Sequence, residues 1–204
     1  MNTARDEKVR ILQWLLPQLE DSEIVASELP FDGVRRKADL AVISSERLRA
    51  IEIKGPRDNV RTLPAQIDDY LEAFLEVDVA VASKFVPFVR EQLPTAVGII
   101  ELAEDFVIRR RRASIHAALS SSGALQWLHS SDLRRLLAGS EYRFMSLVEL
   151  RAAATRVPKS KLNSAALAAV FKRSEARYNA FLDERAERLN HDDIAVLETP
   201  QKIR

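Results

Sequence analysis

Residues 37–54 read KADLAVISSERLRAIEIK. Two runs rich in strand-forming residues, 37–43 (KADLAVI) and 48–54 (LRAIEIK), are separated only by Ser44, Ser45, Glu46 and Arg47. That spacing predicts an antiparallel hairpin. Side chains alternate along a strand, so Glu52 and Lys54 project together while Ile51 and Ile53 point the other way. Asp39 stands on the first strand between Ala38 and Leu40. A hairpin bringing Asp39 near Glu52 places two carboxylates and one ammonium on one side of a sheet, and the apolar neighbours Leu40, Val42, Ile51 and Ile53 indicate that the hairpin is buried. Such a cluster is costly to bury without compensation. A divalent cation is one natural compensation, since hard oxygen ligands suit Mg2+. An acidic residue facing an E-x-K is also common in amphipathic hairpins, where it forms a solvated face with a cross-strand ion pair.

On the N-terminal side, Val9, Leu12, Leu15, Leu16 and Leu19 recur at helical spacing and predict an amphipathic helix over 5–20. Residues 23–28 (EIVASE) read as a strand, ended by Pro30 and a loop at Asp32 and Gly33. On the C-terminal side, Gly55 and Pro56 stop the third strand. A polar loop then leads to Thr62, a cap for a helix that carries Pro64 in its first turn. That helix runs to about Glu76, with Ile67, Leu71 and Phe74 as its buried stripe. Residues 77–82 (VDVAVA) form a strand covered on both faces, 87–92 a short helix, and 97–102 (VGIIEL) a fifth strand. The order α-β-β-β-α-β-α-β predicts an α/β fold, a mixed central sheet flanked by helices. Residues 106–112 (FVIRRRR) are either one last strand or the start of a linker. Beyond Ala113 the chain predicts three to five helices and no strands. The expected division is an α/β domain over 1–110, a basic all-α extension over 111–190 and a frayed tail over 191–204.

The chain of 204 residues has 31 Lys+Arg, 30 Asp+Glu, 47% hydrophobic residues and no cysteine. This composition is globular, and the missing cysteine excludes disulfide scaffolds, zinc ribbons and thiol catalysis. No apolar run approaches the roughly 20 residues that span a bilayer. The charged start, MNTARDEKVR, has no apolar stretch behind it, so a cytoplasmic protein without signal peptide or membrane association is expected. The near-zero net charge hides an asymmetry: 13 Lys+Arg against 19 Asp+Glu in residues 1–104, and 18 against 11 in 105–204. A polyanion-binding module beside a metal site would show this, and so would two helical surfaces docked on each other. His116, His129 and His191 have no partners at metal-ligand spacing. The phosphate-loop, dinucleotide and nucleophile-elbow motifs are all missing.

The helix after the hairpin carries Gln66 and Tyr70 four residues apart, on a stripe beside Ile67, Leu71 and Phe74. Asp39 in KADLAV, Glu52-Ile53-Lys54 in IEIK, and Gln66 to Tyr70 in QIDDY together resemble the PD-(D/E)XK nuclease superfamily, and most of all its RecB-type branch with a Q-x-x-x-Y helix. The wider block resembles small bacterial proteins of unassigned role within that superfamily. The resemblance covers about residues 5–104 and implies a restriction-endonuclease-like αβββαβ core. It implies Asp39 and Glu52 as ligands of Mg2+ or Mn2+, with the backbone carbonyl of Ile53 as a third. It makes Lys54 the catalytic lysine and places Gln66 and Tyr70 along the site. An upstream acid is often added in that superfamily, and Glu28 is the candidate, with Glu20 and Glu23 behind it. The implied activity is metal-dependent hydrolysis of phosphodiester bonds, with DNA as the expected partner and RNA left open. The alternative is an inactive protein of the same fold that binds DNA or a protein.

Arg35, Arg36 and Lys37 lead into the Asp39 strand, and Arg57 and Arg61 follow Lys54. As a group they fit a rim that grips phosphates. Arg109, Arg110, Arg111 and Arg112 form either a phosphate clamp or a solvated linker. Residues 146–154 and 163–171, broken at Val157 and Pro158 and flanked by Lys159, Lys161, Lys172 and Arg173, fit a helix-turn-helix. Docking of that half against the core, another copy of the chain or a protein partner fits equally.

Overall fold

The computed structural model describes residues 4–31 and 35–198. Six strands form one sheet in sequential order: β1 (Ile24–Phe31), β2 (Arg36–Ile43), β3 (Leu48–Lys54), β4 (Glu76–Ala82), β5 (Gly98–Leu102) and β6 (Val107–Arg111). β1 to β3 are antiparallel, β3 to β5 are parallel, and β6 returns antiparallel. Helix α1 (Ala4–Leu15) precedes the sheet, and α2 (Leu63–Ala73) and α3 (Val86–Gln92) make the two parallel crossovers. Then come α4 (Ser121–Gln126), α5 (Ser130–Leu137), α6 (Leu147–Ala154), α7 (Lys159–Glu184) and α8 (His191–Leu197). The expected mixed sheet with a helical C-terminal region is therefore the observed architecture. No helix among the described residues is long and apolar enough to cross a membrane.

The β2–β3 hairpin closes through Ser44. Its backbone N–H donates to the Arg47 carbonyl at 2.8 Å, and its Oγ accepts the N–H groups of Glu46 and Arg47. A serine that satisfies the turn backbone in this way needs no glycine. β1 does not stop at Pro30 as expected but runs to Phe31, with Pro30 opposite Lys37. β1 is an edge strand, where a missing N–H costs no ladder bond. The loop expected at Asp32 and Gly33 lies outside the described residues. Residues 106–112 resolve to strand β6 rather than a linker.

β4 is buried along its whole length, including Asp78 at 0% exposure. This charge is tolerated because Arg49 on β3, 2% exposed, donates from Nε to Asp78 Oδ2 at 2.7 Å. The network extends through Glu76 to Arg47, which also reaches Glu23. Burial nonetheless holds the Asp78 carboxyl above its ordinary range, against the pull of Arg49. Gly98 stands opposite Asp78 on β5, where a Cβ would lie 2.0 Å from Asp78 Oδ1 and 2.8 Å from the Ala113 backbone nitrogen.

The helical half joins the same hydrophobic core as the sheet. Trp127 donates its indole N–H to the Ala73 carbonyl at 2.7 Å and packs edge-on against Phe74. His116 N–H reaches the Leu75 carbonyl at 2.9 Å, and α7 packs on β1 and β2. The frayed tail expected from residue 191 begins instead with helix α8. Asn190 and Asp193 form its capping box, and Ile194 and Leu197 are buried against the core. Residues 199–204 lie outside the described residues.

Because Asp78 is locked on Arg49, a methyl at position 98 has no room. Gly98→Ala is expected to destabilise the fold by about 2–4 kcal/mol, read as a lowered midpoint in urea melts.

Candidate functional site

β2 and β3 pair from Ile43↔Leu48 to Leu40↔Ile51 and then part. Continued register would set Asp39 directly opposite Glu52. Instead the Ile53 backbone N–H donates to Asp39 Oδ2 at 2.7 Å, so the side chain takes the place of a ladder acceptor. The same break occurs on the other side of Asp39. β1 and β2 pair at Ser27↔Leu40 and again at Leu29↔Ala38, skipping Glu28. Glu28 holds φ at 52°, a left-handed conformation that costs a non-glycine residue about 1–2 kcal/mol. Asp39 thus sits in a gap in the sheet, with Glu28 on one flank and Glu52 on the other.

Each carboxylate has cationic or hydroxyl partners. Glu52 accepts from Lys54 Nζ at 2.6 Å through Oε1 and from the Tyr70 hydroxyl through Oε2. The Tyr70 oxygen also lies 2.8 Å from the Lys37 carbonyl. Glu28 is bound by Lys8 at 2.6 Å and by Lys37 at 3.6 Å. Lys8 also lies 3.8 Å from Asp39 Oδ1. Three carboxylates therefore face three ammonium groups. Burial and the neighbouring Glu52 charge push the Asp39 carboxyl up to about 7, against the pull of Lys8 and the Ile53 N–H. Its side chain is still 28% exposed, so solvent reaches one side of it. Burial raises Glu28 too, but there Lys8 and Lys37 win and its carboxyl lies below the ordinary value. Burial and the Glu52 charge hold the Tyr70 phenol above its ordinary value, so it stays protonated and donates to Glu52.

The structure brings Asp39, Glu52 and Lys54 together as the strand pattern predicted, and Tyr70 joins them as the resemblance implied. Gln66 lies one turn before Tyr70 on α2, and its Oε1 is buried without a hydrogen-bond partner. Thr62 occupies the N-cap position of α2, but its side chain makes no cap bond. Glu28 is adjacent as expected, with both oxygens turned to lysines rather than left open. Glu20 is exposed in the turn before β1, and Glu23 belongs to the Arg47 network. Among the described residues, no group of three His, Cys, Asp or Glu side chains is arranged to hold a metal.

The basic residues divide. Arg57 and Arg61 are exposed in the loop after β3, and Arg35 is exposed before β2. Arg36 is paired with Asp69 on α2 at 2.8 Å, and Lys37 with Glu28. The arginines of β6 project alternately to opposite faces of the strand, so they do not form one contiguous patch. Arg109 stacks over Trp14, Arg110 pairs with Glu101, and Arg111 donates to the Val97 and Pro94 carbonyls. Arg112 is exposed. In the helical half, α6 and α7 flank Pro158, but α6 packs on α5 rather than on α7, α7 runs on as one 26-residue helix to Glu184, and Arg173 is turned inward to Asp132 and the Trp127 carbonyl.

Sequence reading missed Lys8. It gives α1 the apolar stripe Val9, Leu12, Leu15, Leu16 and Leu19, of which Val9, Leu16 and Leu19 are only half-buried; the fully buried positions are Glu7, Lys8 and the three apolar residues Ile11, Leu12 and Leu15. The signal was present, since a lysine three, four and seven residues before those three apolar residues lies on their face.

Fold and site define a mixed-sheet α/β protein with an acidic centre where its antiparallel and parallel portions meet. Comparison with known proteins adds the lineage: the chain belongs to the bacteriophage P4 protein cII family, whose model matches residues 2–198. Protein cII of Enterobacteria phage P4 is 24% identical over 204 residues, covering 95% of this chain and 76% of that protein. A protein of unknown function from Silicibacter pomeroyi aligns over 78% of this chain and 94% of its own, at 19% identity and a TM-score of 0.46.

The raised Asp39 carboxyl has a consequence for stability. Its folded form holds a proton more tightly than the unfolded chain does, so the protonated state stabilises the fold at low pH. That contribution is lost as pH rises from about 4 through about 7. In metal-free buffer Asp39→Asn, which keeps an acceptor for Ile53, is expected to be more stable than the parent at pH 8 by about 1–3 kcal/mol. The difference should vanish near pH 4, as read by denaturant melts at both pH values.

Proposed function

We propose that this chain is a metal-dependent nuclease that hydrolyses phosphodiester bonds in DNA. The observation that carries the reading is the gap in the sheet at Asp39, where Asp39, Glu52 and Lys54 meet beneath the Gln66 and Tyr70 face of α2. The resemblance of these residues to the PD-(D/E)XK superfamily supports it. The donor chemistry suits a hard divalent ion: the Glu52 charge raises Asp39, and a cation relieves that repulsion. Asp39, Glu52 and the Ile53 carbonyl would hold Mg2+ or Mn2+. With so few protein ligands the ion keeps several waters, as Mg2+ commonly does. When bound, it would supply an acidified water and neutralise charge on the phosphodiester.

The residues of the chain do the rest. Tyr70 fixes one oxygen of Glu52 and Lys54 the other, so the carboxylate is held in one orientation before substrate arrives. Lys54, 15% exposed, is near enough to solvent to donate to an attacking water or to a phosphate oxygen. The unpartnered Gln66 Oε1 accepts a hydrogen bond from substrate or from a site water. Arg57, Arg61 and Arg35, all exposed, grip phosphates on either side of the scissile bond.

A second reading, a non-catalytic DNA-binding or protein-interaction module, is favoured by the three ammonium groups that already face the three carboxylates. It needs no metal and predicts salt-dependent binding without cleavage.

Incubation with single- and double-stranded DNA plus Mg2+ or Mn2+ is expected to give cleavage products. Asp39→Asn and Lys54→Ala should each lower the rate at least about 100-fold with melts still cooperative. Variants that cut as fast as the parent sink the nuclease assignment.

A further inference from the structure

Lys8 has no role in the chemistry above, yet its ammonium bridges two of the three carboxylates. It lies 2.6 Å from Glu28 Oε1 and 3.8 Å from Asp39 Oδ1, on a side chain only 8% exposed. An ammonium so far out of water persists only against acids, and these acids persist more easily with it than without. Lys8 is anchored from behind, since Ile11, Leu12 and Leu15 on the same face of α1 are buried in the core. Its reach is therefore short, and the two carboxylates are the groups it can move between. Glu28 is brought to it by a left-handed backbone inside a strand, a conformation that needs support from its surroundings. The contacts with Lys8 and, from the other side, Lys37 supply that support.

We infer that Lys8 is a resident counter-cation of the acidic centre: bound to Glu28 at 2.6 Å, it offsets the Asp39 charge from 3.8 Å, competes with a divalent ion for that carboxylate, and is held back from it by Glu28. The inference rests on the metal-centre reading proposed above and deepens it. Glu28 is then a positioning residue that acts through Lys8, drawing it away from Asp39, rather than a metal ligand. The position of Lys8 sets how tightly the site takes up its ion, because a like charge this close opposes an incoming cation.

The test is calorimetric titration of Mn2+ into the full chain, after chelator treatment and dialysis, at one pH. Lys8→Met is expected to lower the dissociation constant at least about tenfold, and Lys8→Arg, which keeps the charge, to stay within about threefold of the parent. Glu28→Gln should weaken binding, because Lys8 then closes on Asp39. The double variant decides how Glu28 acts. If Glu28 works through Lys8, Lys8→Met with Glu28→Gln binds as tightly as Lys8→Met alone; if Glu28 is a ligand, the double variant binds more weakly and the inference fails. Should Lys8→Met not fold in a thermal melt, Lys8→Gln takes its place in the same series. Unchanged affinity on removing the Lys8 charge overturns the role of Lys8 and leaves the metal centre standing. Absence of Mn2+ binding in the parent and every variant overturns the metal centre, and this inference with it.

Discussion

The hydrogen bond from the Ile53 backbone to the Asp39 carboxylate organises the site. An antiparallel ladder that continued past Leu40 and Ile51 would satisfy its backbone without side chains and leave no opening. By accepting the Ile53 N–H, Asp39 lets β2 separate from β3 at a point where β3 must continue parallel to β4. The gap costs no unpaired donor at Ile53, and it exposes the edge of a carboxylate in the middle of a sheet. Glu28 follows from the same geometry, since its left-handed backbone interrupts the ladder on the other side of Asp39.

The two ends of β3 show how burial and charge can be reconciled in different ways. At its N-terminal end, Arg49 and Asp78 are sealed in the core as a direct pair, backed by Glu76 and Arg47. Breaking such a pair leaves an uncompensated buried charge, so it specifies the alignment of β3 on β4. At the C-terminal end, Asp39 is reached by solvent, its carboxyl is raised, and its nearest ammonium is shared with Glu28. The first end is closed to solvent, with Asp78 Oδ1 and Arg49 Nη2 buried without a hydrogen-bond partner. The second is open to solvent, and its Asp39 carboxylate lies 3.8 Å from an ammonium that is bound to Glu28 at 2.6 Å.

The helical half supports α2 rather than standing apart from it. Trp127 holds the Ala73 carbonyl at the C-terminal end of α2, and the rings of Phe31, Tyr70, Phe74 and Trp127 pack together beneath the site. Tyr70 therefore reaches Glu52 from a helix fixed at its far end by residues more than fifty positions away. The positive charge of this half is partly consumed inside the fold. Arg109, Arg111 and Arg173 serve an aromatic ring, backbone carbonyls and one aspartate.

Local pattern determined a large part of this protein by itself. Alternation in KADLAVI and LRAIEIK set the hairpin, its buried side and the juxtaposition of Asp39 with Glu52, because a strand has a period of two and a short turn leaves little choice of register. Helical spacing likewise put Gln66 and Tyr70 on one face of α2. Tertiary structure alone decided what depends on neighbours distant in the chain. Pro30 is tolerated in β1 because that strand is at the edge, and α8 folds because the core offers its apolar face a surface. Lys8 enters the acidic centre because it shares the buried face of α1 with Ile11, Leu12 and Leu15, and Asp78 is a core residue because Arg49 meets it across the sheet. Periodicity states which residues share a face, but the pairing of charges across elements is set only when packing removes them from water.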